Sequence, residues 1–89
     1  MNVSYKKALD EVLKIREERN KIYGDSWESD LKTNYYQVKN KFERIKMMIE
    51  NLNLNSYESL KDQFVDLTNY SLFCLALIIQ QEDEKNINI

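Results

Sequence analysis

A polar track in the last third of the chain contains the side chains best suited to binding a ligand. The track consists of Glu58, Asp62, Asp66, Asn69 and Tyr70. The first four stand four, four and three residues apart, which places them on one face of an α-helix. Each pair of close carboxylates costs about 0.2–0.5 kcal/mol. Asp66 lies between Val65 and Leu67, so its carboxylate needs a neutralising partner if this helix is buried.

Basic residues that could face this track lie in the preceding segment, at Lys39, Lys41 and Arg44. Lys41 and Arg44 are three residues apart and share a helical face. Two interpretations remain open. Either residue could form a structural ion pair with Asp62 or Asp66. Alternatively, an arginine that forms a bidentate fork and a lysine that acts as a point charge could bind a phosphate.

The stretch KIYGDSWESD, residues 21–30, carries the chain's only glycine and its only tryptophan, Gly24 and Trp27. Gly24 is a natural helix end because glycine adopts positive φ without steric cost. Trp27 could fill the core, or its indole could form one wall of a ligand pocket together with Tyr23 or Tyr70. In the second case we expect Ser26 near the mouth of the pocket.

Composition narrows the function classes. Eighty-nine residues predict one domain, spanning 1–89. A net charge of −2 gives no basic surface for a long nucleic acid, and no apolar run is long enough for a membrane. The chain has no histidine and a single cysteine, Cys74, which we expect to be a small buried hydrophobe. We therefore expect a cytoplasmic protein, in which any metal would have to be a hard cation held by carboxylates. We favour a protein without a metal site, cofactor or catalytic residue, and magnesium enters only under the alternative given below.

The near absence of glycine and the lack of proline predict an all-α fold. The hydrophobic periodicity predicts a three-helix bundle with helices at about 3–22, 31–52 and 56–82 and a polar tail at 83–89. Asn55 and Glu58 have the spacing of a capping box at the start of the third helix. The core face predicted for the second helix consists of Val38, Phe42, Ile45, Ile49 and Leu52.

The third helix is apolar on two sides. One stripe contains Leu60, Phe64, Leu67, Leu75 and Ile78, and the other contains Val65, Leu72, Ala76 and Ile79. A helix with two apolar sides must be covered on both. We therefore expect a homo-oligomer that assembles through this helix.

Three segments taken together resemble a family of small all-α proteins, the nucleotide modification associated domains of the first type. The segments are YGDSW, KNKFERI and KDQFVDLTNY. The residues that match the family's pattern are Tyr23, Gly24, Ser26, Trp27, Lys39, Lys41, Arg44, Asp62, Asp66, Leu67, Asn69 and Tyr70. The resemblance implies a phage or bacterial protein linked to the metabolism of modified nucleotides. It also implies an architecture similar to the MazG-type nucleotide pyrophosphohydrolases, which hold magnesium with glutamate clusters.

Three functions remain open. The first is a non-catalytic protein that binds a modified or signalling nucleotide, including a cyclic one, and sequesters it against host defence. The second is a Mg²⁺-dependent nucleotide pyrophosphohydrolase, in which a metal-bound water is the nucleophile. Against it, Lys21 stands where the MazG-type pattern has a third glutamate after Glu17 and Glu18. The third is a helical module that only assembles with other copies. We favour the first, with a site formed by Tyr23, Ser26, Trp27, Lys39, Lys41, Arg44, Asp62, Asp66, Asn69 and Tyr70.

Overall fold

The computed structural model describes residues 2–24, 30–50 and 57–87, except for the side chains of residues 23, 57–59 and 86–87. These residues form three helices, α1 (Val3–Tyr23), α2 (Leu31–Glu50) and α3 (Tyr57–Ile87). α3 packs along α2 and, over a smaller area, against α1. The all-α three-helix bundle expected from the sequence is confirmed. The predicted capping box and Leu52 involve residues outside the described set.

α1 is closed at both ends by the residues that the sequence offers there. The backbone N–H of Ser4 donates to Asn2 Oδ1 at 2.7 Å, so Asn2 is the N-cap. After Tyr23 the chain turns at Gly24, which has φ +61° and ψ −139° and donates its N–H to the carbonyl of Asn20 at 2.9 Å. An added Cβ would meet no atom there, so the requirement for glycine is conformational and not steric. The predicted helix end at Gly24 is confirmed.

α2 begins at an N-cap formed by Asp30. One carboxylate oxygen accepts the N–H of Lys32 at 3.1 Å, and the other accepts the hydroxyl of Thr33 at 3.0 Å. The bond from Lys32 satisfies a backbone donor that the first helical turn leaves free, and the bond from Thr33 fixes the carboxylate. The side chain of Asn34 donates to the Asp30 carbonyl at 3.0 Å and is buried. The first buried residue of α2 is therefore the polar Asn34.

α3 is longer than its pattern predicted. The expected end at residue 82 was wrong, because the helix continues to Ile87. Residues 80–85 are Gln, Gln, Glu, Asp, Glu and Lys, which contain no glycine or proline and are mostly good helix formers. Lys85 in the last turn also interacts favourably with the helix dipole.

α2 and α3 are antiparallel. They pack along each other and are joined by six residues, 51–56. Six residues span at most about 25 Å, whereas a parallel arrangement would require the chain to return along the full 30 Å or so of α2. The bundle measures 53 × 28 × 28 Å, and its radius of gyration is 15.4 Å. A compact chain of this length has a radius of about 12 Å, so the bundle is elongated.

The core contains few large apolar side chains. Among the described residues, the buried hydrophobic ones are Val12, Ile45 and Leu77. Of the core face predicted for α2, Ile45 is buried and Val38 is half-buried, but Phe42 and Ile49 are exposed. The prediction was wrong for those two residues. The reason is that α2 is rotated so that Asn34 and Lys41 face its neighbours instead.

As in α2, several polar residues of α3 face the neighbouring helices while several large apolar residues are exposed. Its inner face, directed at α1 and α2, consists of Gln63, Asp66, Asn69, Tyr70, Phe73 and Leu77. Its outer face lies on the side of the helix away from Asp66 and borders α1 at Phe64 and Thr68. It consists of Phe64, Thr68, Leu72, Leu75, Ile78 and Ile79, all of them exposed. Within the residues described, no helix combines the length and the apolar character that crossing a membrane requires.

Candidate ligand-binding site

Asp66 lies where side chains from all three helices meet. Its Oδ2 is 3.2 Å from Lys41 Nζ of α2, and its Oδ1 is 2.8 Å from Arg19 Nη1 of α1. The side chains of Asp66 and Lys41 are 13% and 15% exposed, whereas that of Arg19 is 45% exposed. The cluster is therefore buried at its centre and open to solvent on the α1 side.

The charges of this cluster do not balance. Asp66 carries one negative charge, and Arg19 and Lys41 together carry two positive charges. Removing charges from water is costly unless opposite charges compensate them fully. One positive charge is left over at the meeting point of the helices, and it favours the approach of an anion.

The inner face also holds two buried oxygens without a hydrogen bond from the described residues, Gln63 Oε1 and Asp66 Oδ1. The contact between Arg19 and Asp66 Oδ1 is thus an ion pair whose N–H groups are not directed at the oxygen. Gln63 precedes Asp66 by three residues, so both side chains lie on one helical face. Buried acceptors of this kind are uncommon and call for an explanation, such as a ligand that supplies donors.

Arg44 and Asp62 lie one helical turn from the cluster. Arg44 follows Lys41 by three residues and Asp62 precedes Asp66 by four, so both lie towards the same end of the antiparallel pair α2–α3. Both are exposed, and neither forms an ion pair with a described residue. Arg44 therefore adds a positive charge near the cluster and Asp62 a negative one, and neither is held in it.

Asn69 connects α3 to α1. Its side chain is 3% exposed, and its Nδ2 donates to the backbone carbonyl of Val12 at 3.3 Å. A buried amide with such a bond fixes the position of α1, because breaking the bond would leave polar atoms unsatisfied. Asn69 thus holds α1 in the place from which Arg19 reaches Asp66.

Two aromatic rings continue the inner face towards the C-terminus of α3. Tyr70 packs edge-on against Phe73, with ring centroids 5.9 Å apart and an interplanar angle of 88°. The guanidinium carbon of Arg16 lies 4.8 Å from the centroid of the Phe73 ring, within the range of a cation–π contact. The half-buried Tyr70 thus lies one turn from Asp66, with its ring held by Phe73.

Comparison with known protein families identifies one match. The description of the family is Nucleotide modification associated domain 1, and the match covers residues 19–78, more than half of the chain. The chain belongs to this family. The matched segment of this Nucleotide modification associated domain contains the whole cluster of Arg19, Lys41 and Asp66. Neither the curated proteins nor the solved structures gave a match.

The domain brings together some of the site residues predicted from the sequence and separates others. Lys41 and Asp66 form an ion pair, which is one of the two interpretations given for these residues above. Tyr70 lies one helical turn from Asp66. Lys39 is exposed and, at two residues from Lys41, points to nearly the opposite side of α2. Ser26, Trp27 and the side chain of Tyr23 lie outside the described residues, so their part in the site stays a prediction.

Arg19 is the site residue that sequence reasoning missed. A signal was present: Arg19 follows the buried Val12 by seven residues, and residues seven apart share a helical face. Arg44, the other partner considered for Asp66, is not paired with it.

No group of three or more potential metal ligands occurs within residues 2–24, 30–50 and 57–87, as far as their side chains are described. Cys74 is half-buried next to the inner face. Burial raises the pKa of its thiol above the usual value, although a backbone hydrogen bond opposes the shift. A raised pKa reduces the thiolate fraction at neutral pH, which agrees with a packing role.

Proposed function

We propose that this protein binds a nucleotide on the inner face of α3 and holds it without hydrolysing it. The observation that carries the proposal is the pairing of one carboxylate, Asp66, with two cations from two other helices. The leftover positive charge suits a phosphate, and the two cations are already held in place before the ligand arrives. Binding to such a prearranged site loses little free energy in ordering side chains.

Arg19 and Lys41 are the proposed phosphate ligands. Arg19 is the more exposed of the two, and its guanidinium has further N–H donors in a planar fork that matches two phosphate oxygens. Lys41 adds a point charge from the opposite side of Asp66. The exposed Arg44, one turn away, extends the positive region for a second phosphate.

Gln63 and Asp66 are the proposed ligands of the nucleoside. The buried oxygens Gln63 Oε1 and Asp66 Oδ1 can accept hydrogen bonds from ribose hydroxyls or from an amino group of the base. Tyr70 offers a ring for stacking on the base. Tyr23, Ser26 and Trp27 are the further residues that the sequence predicts for this pocket, and they lie outside the described side chains.

The family gives independent support, because its description associates the domain with nucleotide modification. Binding is favoured over hydrolysis for an electrostatic reason. A magnesium ion needs a surplus of carboxylate oxygens, whereas the region around Asp66 has a surplus of cations. A small protein that binds a modified or signalling nucleotide, including a cyclic one, without cleaving it would sequester that nucleotide.

A thermal-shift screen of linear and cyclic nucleotides, with magnesium and with a chelator, tests this function. A nucleotide that binds the folded state raises the melting temperature, and at about 100 times its Kd it adds about 2.7 kcal/mol. We expect a shift that persists in chelator and a ligand that chromatography recovers intact. Magnesium-dependent conversion into a nucleoside monophosphate and pyrophosphate would instead show a pyrophosphohydrolase.

Two lysines of α2 provide a matched pair of variants for this screen. Lys41→Met keeps most of the length of the side chain and removes the charge next to Asp66. Lys46→Met makes the same change at an exposed position that is remote from the inner face. We expect the first variant to lose the shift and the second to keep it. Equal shifts in both variants would show that Lys41 does not contact phosphate.

A further inference from the structure

We propose that a second copy of this chain covers the outer face of α3, with the two α3 helices antiparallel. This face carries large apolar side chains that the bundle leaves in solvent, with Leu75, for example, 52% exposed. Monomeric proteins rarely expose continuous apolar patches of more than a few hundred Å². The inference is independent of the proposed function, because the outer face lies on the side of the helix away from Asp66.

Four residues of the outer face and the half-buried Val65 beside it have the spacing of a helix-pairing seam. The steps along this seam are three, four, three and four residues, through Val65, Thr68, Leu72, Leu75 and Ile79. Two helices that pack along each other need apolar residues at this average spacing of 3.5. With Lys61 and Glu82 at its ends, the seam is about 32 Å long at 1.5 Å per residue. A seam of this length can pack along a second helix of equal length, and the α3 helix of a second copy has that length.

The charges at the ends of the seam select the antiparallel orientation. On the seam itself, Lys61 is at the N-terminal end and Glu82 is at the C-terminal end. A parallel pair would place Lys61 against Lys61 and Glu82 against Glu82, which is unfavourable. An antiparallel pair places each lysine opposite the acidic end of the other helix.

The same charges define a register. When Lys61 faces Glu82 of the second copy, the two-fold axis passes between Ser71 and Leu72. Phe64 then faces Ile79 of the second copy, and Thr68 faces its Leu75. Each contact occurs twice, as a closed two-fold dimer requires.

A groove between α1 and α3 supports this register. It has a volume of about 190 Å³ and is lined by Ala8 and Val12 of α1 and by Phe64, Val65 and Thr68 of α3. Lys61 is at the rim of the groove, and its Nζ is 3.4 Å from Glu11 Oε1. In the proposed register, Ile78 and Ile79 of the second copy lie opposite Phe64 and Val65. Apolar side chains of the second copy therefore enter an apolar groove.

The molar mass in solution, measured by light scattering over a range of concentrations, is the first test. The chain mass is 10.7 kDa, so the dimer has twice that value, about 21 kDa. We expect the wild type to be a dimer that dissociates on dilution and Leu75→Glu to be a monomer at every concentration. A wild type that stays monomeric at its highest soluble concentration would overturn the proposal, and so would a dimer that Leu75→Glu leaves intact.

A charge exchange tests the orientation and does not depend on how Leu75→Glu folds. Lys61→Glu and Glu82→Lys should each weaken the dimer about three- to tenfold, and the double variant should restore its dissociation constant. Glu43→Gln, at an exposed position of α2 outside the groove, should leave the dimer unchanged. If the double variant is weaker than either single variant, or if Glu43→Gln weakens the dimer as much as Lys61→Glu, the antiparallel register is wrong.

Discussion

The inner and outer faces of α3 differ in polarity in the opposite sense to most surface helices. The inner face buries Asp66 and Asn69 against the other two helices, whereas the outer face presents Leu72 and Leu75 to solvent. An amphipathic helix of a monomer normally turns its apolar stripe to the core. The two proposals account for this reversal: a ligand would use the polar side chains of the inner face, and a second copy would cover the apolar side chains of the outer face.

Neither the ion pairs of the inner face nor the exposed apolar side chains of the outer face are expected to stabilise the monomer much. A buried ion pair contributes little net stability, because desolvation of the charges offsets most of their attraction. The ion pairs around Asp66 are therefore expected to contribute little to the free energy of unfolding, so stability alone does not explain them. Apolar side chains on the outer face contribute nothing to folding while they remain in water, and they stabilise the protein only when another surface covers them.

Neighbouring leucines on the two faces give the largest expected difference. Leu77 is 7% exposed on the inner face, and Leu75 lies on the outer face. Leu77→Ala should lower the free energy of unfolding by about 2–5 kcal/mol at any protein concentration, because it leaves a cavity. Leu75→Ala should have an effect that becomes smaller on dilution, since only the dimer covers the 52% of this residue that the bundle leaves exposed. Urea unfolding at several concentrations measures both, and equal, concentration-independent losses would remove the distinction between the faces.

The ion pairs of the inner face should give the next largest effect. Without ligand, Lys41→Met should lower the free energy of unfolding by about 1–3 kcal/mol, because Asp66 then keeps only the more exposed Arg19 as a partner. The exposed Lys46→Met should change it by no more than about 0.5 kcal/mol. If Lys41→Met were as stable as the wild type, the pair with Asp66 would have no structural role.

The amide of Asn69 should give the smallest of these effects. Asn69→Ala removes a buried hydrogen bond to the Val12 carbonyl and should cost about 0.5–1.5 kcal/mol. The exposed Asn40→Ala serves as the control in the same denaturant titration. Because Asn69 also fixes α1, its variant should weaken nucleotide binding as well. Unchanged binding would mean that α1 keeps its position without this bond.

The sequence predicted the helices better than the faces they bury. The absence of proline, the single Gly24 and the periodicity were sufficient for three helices, since these signals are local. Which side of α2 is buried depends on its neighbours, and Lys41 could not be distinguished from a solvated lysine until its contact with Asp66 was known. The pattern therefore wrongly predicted Phe42 and Ile49 for the core.

The candidate site shows the same limit. Asp66 was identified from the sequence because a carboxylate inside an apolar run needs a partner, and Lys41 was one of two candidates for that partner. Arg19 was not identified, because it comes from α1, and a helical pattern cannot show how α1 lies against α3. Residues brought together by tertiary packing are beyond the reach of spacing alone.

The most direct test of the central claim, that the cations at Asp66 bind phosphate, is a calorimetric titration in chelator. A nucleoside and its mono-, di- and triphosphates are compared on the wild type and on Lys41→Met. We expect the affinity of the wild type to rise with each phosphate and to fall with added salt, and the rise to be lost in Lys41→Met. A nucleoside that binds as tightly as its triphosphate, or a series in which no member binds, would contradict the account.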